Sequence, residues 1–167
     1  MKMRKTDIIV VNTGPLLAWI IALNDLSFLT RLYKRVIVPL EVCEEIMVGG
    51  KSGLGISDFM RADYLNKRKD NTKIASLLLN YLDKGEASVI QLAQDEDVKT
   101  VCIDEIVGRR VARLSGLKVT GSLGVLLRAK QEGLDINIKS IIQRFKESGV
   151  WISEDLGNWC MEQAGEL

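Results

Sequence analysis

The chain has 167 residues, 47% of them apolar and 27% charged, with a formal net charge of +1. That balance fits one globular domain, read as residues 1–167, and excludes a disordered chain or a globally basic nucleic-acid binder. Histidine is absent, which excludes Ser-His and Cys-His nucleophile pairs and imidazole metal ligands; acid–base or metal chemistry must rest on carboxylates, lysines or a bound cation.

The basic start Met1-Lys2-Met3-Arg4-Lys5 leads into an apolar stretch broken by Asn12, Gly14 and Pro15, without a convincing cleavage site. No apolar run is long enough to cross a bilayer. The expectation is a cytoplasmic protein with no membrane partner. Cys43, Cys102 and Cys160 are odd in number, widely spaced and without a CxxC pair, so they read as small core residues rather than a disulfide or zinc framework.

Ile8-Ile9-Val10-Val11 is a continuous apolar run, the pattern of a buried parallel strand, and a strand is predicted over 8–12. Asn12 then stands at the strand's carboxyl end, where open α/β sheets bind ligands. Gly14-Pro15 starts a helix near 15–23, and a second helix is expected over 25–33 after Asn24-Asp25. Val36-Ile37-Val38-Pro39 is a short strand, followed by a helix over 40–48 with Val42, Cys43, Ile46 and Met47 as its buried arc. Glu41, Glu44 and Glu45 crowd that helix, a pattern that is usually a solvated face. Glu45 borders the arc and is the one placed to reach a cleft. Residues 49–55 form a glycine-rich loop, in which Gly50-Lys51-Ser52 lacks the glycine spacing and preceding strand of a P-loop.

A weak strand is expected near Tyr64-Leu65 and a helix near 72–82. Asp83-Lys84-Gly85-Glu86 has the spacing of a capping box at the head of a helix over 85–95. Glu86 aligns with Ile90 and Ala93 along the apolar stripe, so a cap and a site role both stand open. Val101-Cys102-Ile103, in a strand over 99–103, delivers Asp104 as either a functional carboxylate or the cap of a helix near 106–115. Arg109, Arg110 and Arg113 give that helix a basic face, with Arg109 either steadying a phosphate or pairing with Glu105. A strand at Leu117-Lys118-Val119, helices over 122–132, 137–148 and 154–164, and an edge strand at Val150-Trp151-Ile152 complete the chain. Trp19, Trp151 and Trp159 are isolated and make no stacking platform for bases; core or interface packing is their expected role. Strands alternating with helices argue for a parallel sheet covered on both faces, in an order the pattern alone does not give.

Taken together, Val10-Val11-Asn12-Thr13-Gly14-Pro15-Leu16, Val38-Pro39 with Glu45, Asp83-Lys84-Gly85-Glu86-Ala87, and Ile103-Asp104-Glu105 with Gly108-Arg109-Arg110-Val111-Ala112 resemble a PIN-like domain. The likeness is greatest to the prokaryotic branch related to VapC-type toxin ribonucleases, and Val119 to Leu127 with Ala129-Lys130 extends it along nearly the whole chain. This resemblance implies an α/β/α three-layer sandwich with a small, mainly parallel sheet. It further implies a ribonuclease dependent on Mg²⁺ or Mn²⁺, with RNA as substrate, an antitoxin protein as partner, and a homodimer using the apolar surface of the first helices. Asn12, Glu45, Glu86 and Asp104 fall on the family's four acidic positions, as catalytic and metal-binding residues. Thr13 would hold a ligand or water, Arg109 would orient phosphate or brace an acid, and Arg110 would meet phosphate. Asn12 departs from the pattern because an amide oxygen coordinates metal without adding negative charge. The competing expectation is a PIN-fold binding or partner protein impaired in catalysis. A receiver-like phosphoacceptor domain fits less well, because the first strand end lacks a pair of acids.

Overall fold

The computed structural model describes residues 6–49, 53 and 55–167. The basic start at 1–5 and the Gly50-Lys51-Ser52 segment lie outside the described residues. In chain order the elements are β1 (Thr6–Val11), α1 (Thr13–Leu23), α2 (Leu29–Leu32), β2 (Tyr33–Val38), α3 (Leu40–Val48), α4 (Ile56–Arg61), β3 (Asn66–Lys67) and α5 (Ser76–Leu79). They continue with α6 (Lys84–Asp95), β4 (Thr100–Cys102), α7 (Ile106–Leu114), β5 (Lys118–Thr120), α8 (Ser122–Gln131), α9 (Ile138–Glu147) and α10 (Glu154–Gln163).

The five strands form one all-parallel sheet in the order β3-β2-β1-β4-β5, with β1 central. Ile9, Val10 and Val11 are fully buried, as a strand covered on both faces must be. Helices flank the sheet in the expected three-layer α/β manner: α6 packs on β1 and β4, while α1 packs against α3, α8 and α9. Trp19 fills the core edge-on to Phe28, ring centroids 5.6 Å apart. The chain leaves β1 toward β2 and later returns to β4 on β1's other side, so the topological switch point lies between β1 and β4. Val11 pairs with Cys102 there, and the Asn12 amide donates to the Cys102 carbonyl at 3.1 Å. The register thus brings the ends carrying Asn12 and Asp104 side by side.

Several expectations are corrected. The helix over 25–33 shrinks to the single turn α2, because Tyr33, Lys34 and Arg35 join β2 and pair along β1 from Thr6 onward. Sheet pairing over six residues outweighs a local helical pattern. The helix over 72–82 is only α5, because the N–H groups before it are taken by side chains. Glu41 accepts from the Thr72 amide at 2.5 Å and its hydroxyl at 3.1 Å, and Gln91 Oε1 accepts from the Ala75 amide at 3.0 Å. Glu41 is therefore buried, 4% exposed, instead of lying on a solvated face, while Met47 of the predicted arc is exposed. The weak strand falls two residues later, as β3, and α4 follows the glycine-rich segment with Phe59 buried. Val150-Trp151-Ile152 forms no strand. Gly149 at φ 78° turns the Val150 amide back onto the Phe145 carbonyl, which leaves Trp151 81% exposed. The three cysteines are free thiols.

The chain's last helices are tied in by Glu166, which accepts from Lys130 Nζ at 2.7 Å and from the amides of Ile138 and Lys139 at 2.8 and 3.2 Å. Burial alone would raise this carboxyl, but Lys130 and the two amides outweigh it and hold it below its usual range. A carboxylate lowered by folding stabilises above its unfolded pKa and loses that contribution as pH falls through the folded value. Glu166→Ala is expected to cost about 2 kcal/mol at neutral pH, because charge-assisted bonds and the first N–H groups of α9 lose their acceptor. In a chain of this length the melting temperature then falls by roughly 4–8 °C, and the deficit shrinks on acidification. Thermal unfolding at two pH values checks both.

Candidate functional site

A cleft of about 520 Å³ opens at the switch point, lined by Asn12, Thr13, Gly14, Pro15, Leu17, Glu45, Asp83, Glu86, Asp104, Glu105, Ile106 and Val107. Five of these residues carry carboxylates and none is cationic. Asn12 and Thr13 come from the junction of β1 and α1, Glu45 from α3, Glu86 from the first turn of α6, and Asp104 from just beyond β4. All four residues expected on the acidic positions, and Thr13 with them, reach one cleft.

Glu86 closes the expected cap and also lines the cleft. Asp83 Oδ1 accepts from the Glu86 amide at 2.8 Å and Glu86 Oε2 accepts from the Asp83 amide at 3.4 Å, closing the capping box. The Glu86 side chain nevertheless lies inward, 7% exposed, against Gly108 of α7. A Cβ at Gly108 would come 3.1 Å from Glu86 Oε1 and 2.9 Å from the Ile103 side chain, so the missing side chain makes room for the carboxylate. Gly85 acts likewise: a Cβ there would collide with Glu45 Oε2 and lie 3.4 Å from Asp83 Oδ1 and 3.5 Å from Asn12 Oδ1. Three oxygens from three elements thus border the same small space.

Electrostatics follow from this crowding. Burial, then the Asp83 charge, raises the Glu86 carboxyl, and Glu105 and Glu45 add to the rise against the restraint of the Asp83 amide. Glu45 is raised by burial first and by Asp83. The Thr13 hydroxyl is near enough to lower Glu45 somewhat, yet makes no hydrogen bond of regular geometry. Asn12 Oδ1 and Thr13 Oγ1 are buried without a hydrogen-bond partner, an arrangement that costs free energy unless a ligand or water completes it.

Two readings of the basic helix are corrected. Asp104 does not cap α7; its Oδ1 accepts from the Ser122 amide at 2.7 Å, at the head of α8. Arg109 makes no ion pair with Glu105 among the described residues; Nη1 donates to the Ile103 carbonyl at 2.8 Å and the side chain is half-buried. Burial, then Arg113, lowers the Arg109 guanidinium, and Asp104 counters them. Arg110 is exposed on α7, and neither arginine lines the cleft. Sequence reasoning missed Asp83 and Glu105 as cleft residues. The signal for Asp83 is its place three residues before Glu86, which a cap alone accounts for; for Glu105 the spacing to Arg109 points instead to an ion pair, which does not form among the described residues.

Oxygen donors of this type suit a hard divalent cation, and the orphaned Asn12 oxygen beside Glu45 fits such a ligand. Among the described residues, no three acidic or cysteine side chains converge to hold a metal ion. The donor chemistry fits the cation; the carboxylates crowd one cleft without closing on a single point.

Glu86 offers a test of the crowding alone. A carboxyl raised by folding makes the protein less stable as pH rises from the unfolded pKa, about 4.3, through the folded value. Glu86→Gln keeps the capping box, since glutamine serves there, and removes the charge. Without divalent ions the variant is expected to melt above the parent at neutral pH, with the advantage vanishing at or below about pH 4. An unchanged or lower melting temperature at neutral pH would contradict the like-charge account.

Residues 8–166 match the model of the family DUF3368, described as a PIN domain. No curated protein matches the chain. No described helix is long and apolar enough to cross a membrane.

Proposed function

The chain belongs to the PIN-domain family DUF3368, and on that premise we propose that it is a ribonuclease dependent on Mg²⁺ or Mn²⁺, a cytoplasmic toxin held by an antitoxin protein. The observation that carries the reading is the cleft at the switch point: five carboxylates, no cation, and an orphaned amide oxygen. Such a surface repels RNA phosphate until positive charge enters it. Asn12, Glu45, Glu86 and Asp104 would hold the ion. When bound, it supplies charge neutralisation at the phosphate and activation of water.

The chain's residues do the rest. Ser122 holds Asp104 through its amide, and the capping box fixes the backbone beneath Glu86. The Thr13 hydroxyl, buried and unpartnered, is available to a water or ligand oxygen. Arg110, exposed one helical turn beyond the cleft residue Ile106, is available to a neighbouring phosphate. Hydrolysis adds water across one P–O bond, leaving phosphate on one fragment and a hydroxyl on the other.

Purified protein is expected to cleave single-stranded RNA with Mn²⁺ and to stop with excess chelator; undiminished cleavage in chelator would refute the mechanism. A second reading, a PIN-fold partner protein without catalysis, is favoured by one observation, the uncharged Asn12 at the first acidic position. Mn²⁺ titration calorimetry separates the two, since a partner protein of this kind needs no ion. The homodimer through the first helices stays part of the proposal: Leu16, Trp19, Ile20, Leu29 and Leu32 face the core, while Leu17, Ile21 and Leu23 of α1 are only part-buried. Light scattering tests it.

A further inference from the structure

We propose that Arg109 is a positioning residue for Asp104 rather than a phosphate ligand, and that Gly121 is the gap that both side chains border; this rests on the metal-dependent reading of the cleft. A Cβ at Gly121 would lie 2.9 Å from Arg109 Nη1 and equally 2.9 Å from Asp104 Oδ1. The guanidinium and the carboxylate therefore flank one point, beside a residue with no side chain. Gly121 has φ −116°, which any residue adopts, so the requirement here is space and not backbone freedom.

The rest of the geometry fixes both partners. Arg109 Nη1 donates to the Ile103 carbonyl at 2.8 Å, one residue before Asp104, while the Ile103 amide donates to the Thr120 carbonyl at 3.0 Å. The Asp104 carboxylate accepts from the Ser122 amide at 2.7 Å. Ser122 is held in turn by the fully buried Trp19, whose indole N–H donates to the Ser122 carbonyl at 3.0 Å. Asp104 is thus set by β4, α7 and the head of α8 together, with α1 behind them. An arginine already bonded to backbone, half-buried and absent from the cleft lining, is poorly placed to follow a substrate phosphate. It is well placed to hold the positive side of an acidic residue's surroundings, as partners behind metal ligands do.

The test compares Arg109→Ala, Arg109→Lys and Gly121→Ala by three readouts. These are the NMR shift of the Ser122 amide, Mn²⁺ affinity by calorimetry, and kcat and KM for RNA cleavage. A positioning role predicts that Arg109→Ala and Gly121→Ala both move the Ser122 amide signal, weaken Mn²⁺ binding about tenfold or more and lower kcat with KM little changed. Arg109→Lys recovers part of each loss. Arg110→Ala, removing an exposed charge, raises KM instead. An Arg109→Ala protein with unchanged amide signal and Mn²⁺ affinity but higher KM, with a weaker salt dependence of RNA binding, would make Arg109 a phosphate ligand and overturn the inference. If the parent protein neither binds Mn²⁺ nor cleaves RNA, the nuclease reading falls alone, and the Ser122 signal in Arg109→Ala, with its recovery in Arg109→Lys, still decides whether Arg109 positions Asp104.

Discussion

Asp104→Asn is expected to lower RNA cleavage by at least about a hundredfold at saturating Mn²⁺ while leaving the melting temperature close to that of the parent. The separation of the two effects follows from what Asp104 touches. Its Oδ1 accepts the Ser122 amide at the head of α8, and an asparagine oxygen can accept the same bond. The substitution therefore keeps the cap and removes only the charge facing the cleft. Asp104→Ala removes both, so it adds a stability loss of about 1 kcal/mol to the same loss of cleavage. A purely structural Asp104 predicts the reverse pattern: activity retained in the asparagine variant and lost in the alanine variant in proportion to unfolding. Cleavage rates and thermal unfolding on the two proteins decide between them, and an Asp104→Asn protein cleaving within about threefold of the parent would remove Asp104 from the reaction.

The parts of this molecule that were legible from sequence are those fixed by local pattern. Ile8 to Val11 could be read as a buried strand because no other arrangement hides four consecutive branched side chains so readily, and Asn12 followed as its end. The capping box was readable because its two bonds join residues three apart. What escaped depends on contacts distant in sequence. The strand character of Tyr33 to Arg35 comes from pairing with β1. The extended segment before α5 comes from Glu41, thirty-one positions from Thr72. The partner of Asp104 is eighteen positions away, so a cap on the adjacent helix was the natural local expectation and the wrong one. Gly85, Gly108 and Gly121 show the same limit. Each leaves room for a carboxylate from another element, and only the folded chain says which.

Asn12→Asp carries the other large effect, lowering stability while raising affinity for metal. Asn12 Oδ1 is buried without a partner and borders the space shared by Glu45 and Asp83. A carboxylate placed there without a counter-charge is an uncompensated buried ion, expected to cost about 3 kcal/mol and to lower the melting temperature by roughly 6–12 °C. The raised Glu45 and Glu86 carboxyls are expected to rise further, since a new like charge opposes their ionisation. Divalent cations offset part of that cost: an added charge among oxygen donors strengthens binding, by about tenfold here. At an ion concentration about a hundred times the variant's dissociation constant, binding returns about 2.7 kcal/mol to the variant and about 1.4 kcal/mol to the parent, so the deficit narrows by about 1.3 kcal/mol. The variant should therefore be the less stable protein in chelator and lose a little under half of that deficit in Mn²⁺. If cleavage also rises, the parent is a nuclease held back by its first acidic position. If affinity rises and cleavage does not appear, the fold binds metal without catalysis. Equal Mn²⁺ affinity in the two proteins would place Asn12 outside the pocket and leave Glu45, Glu86 and Asp104 as the whole of the proposed ligand set.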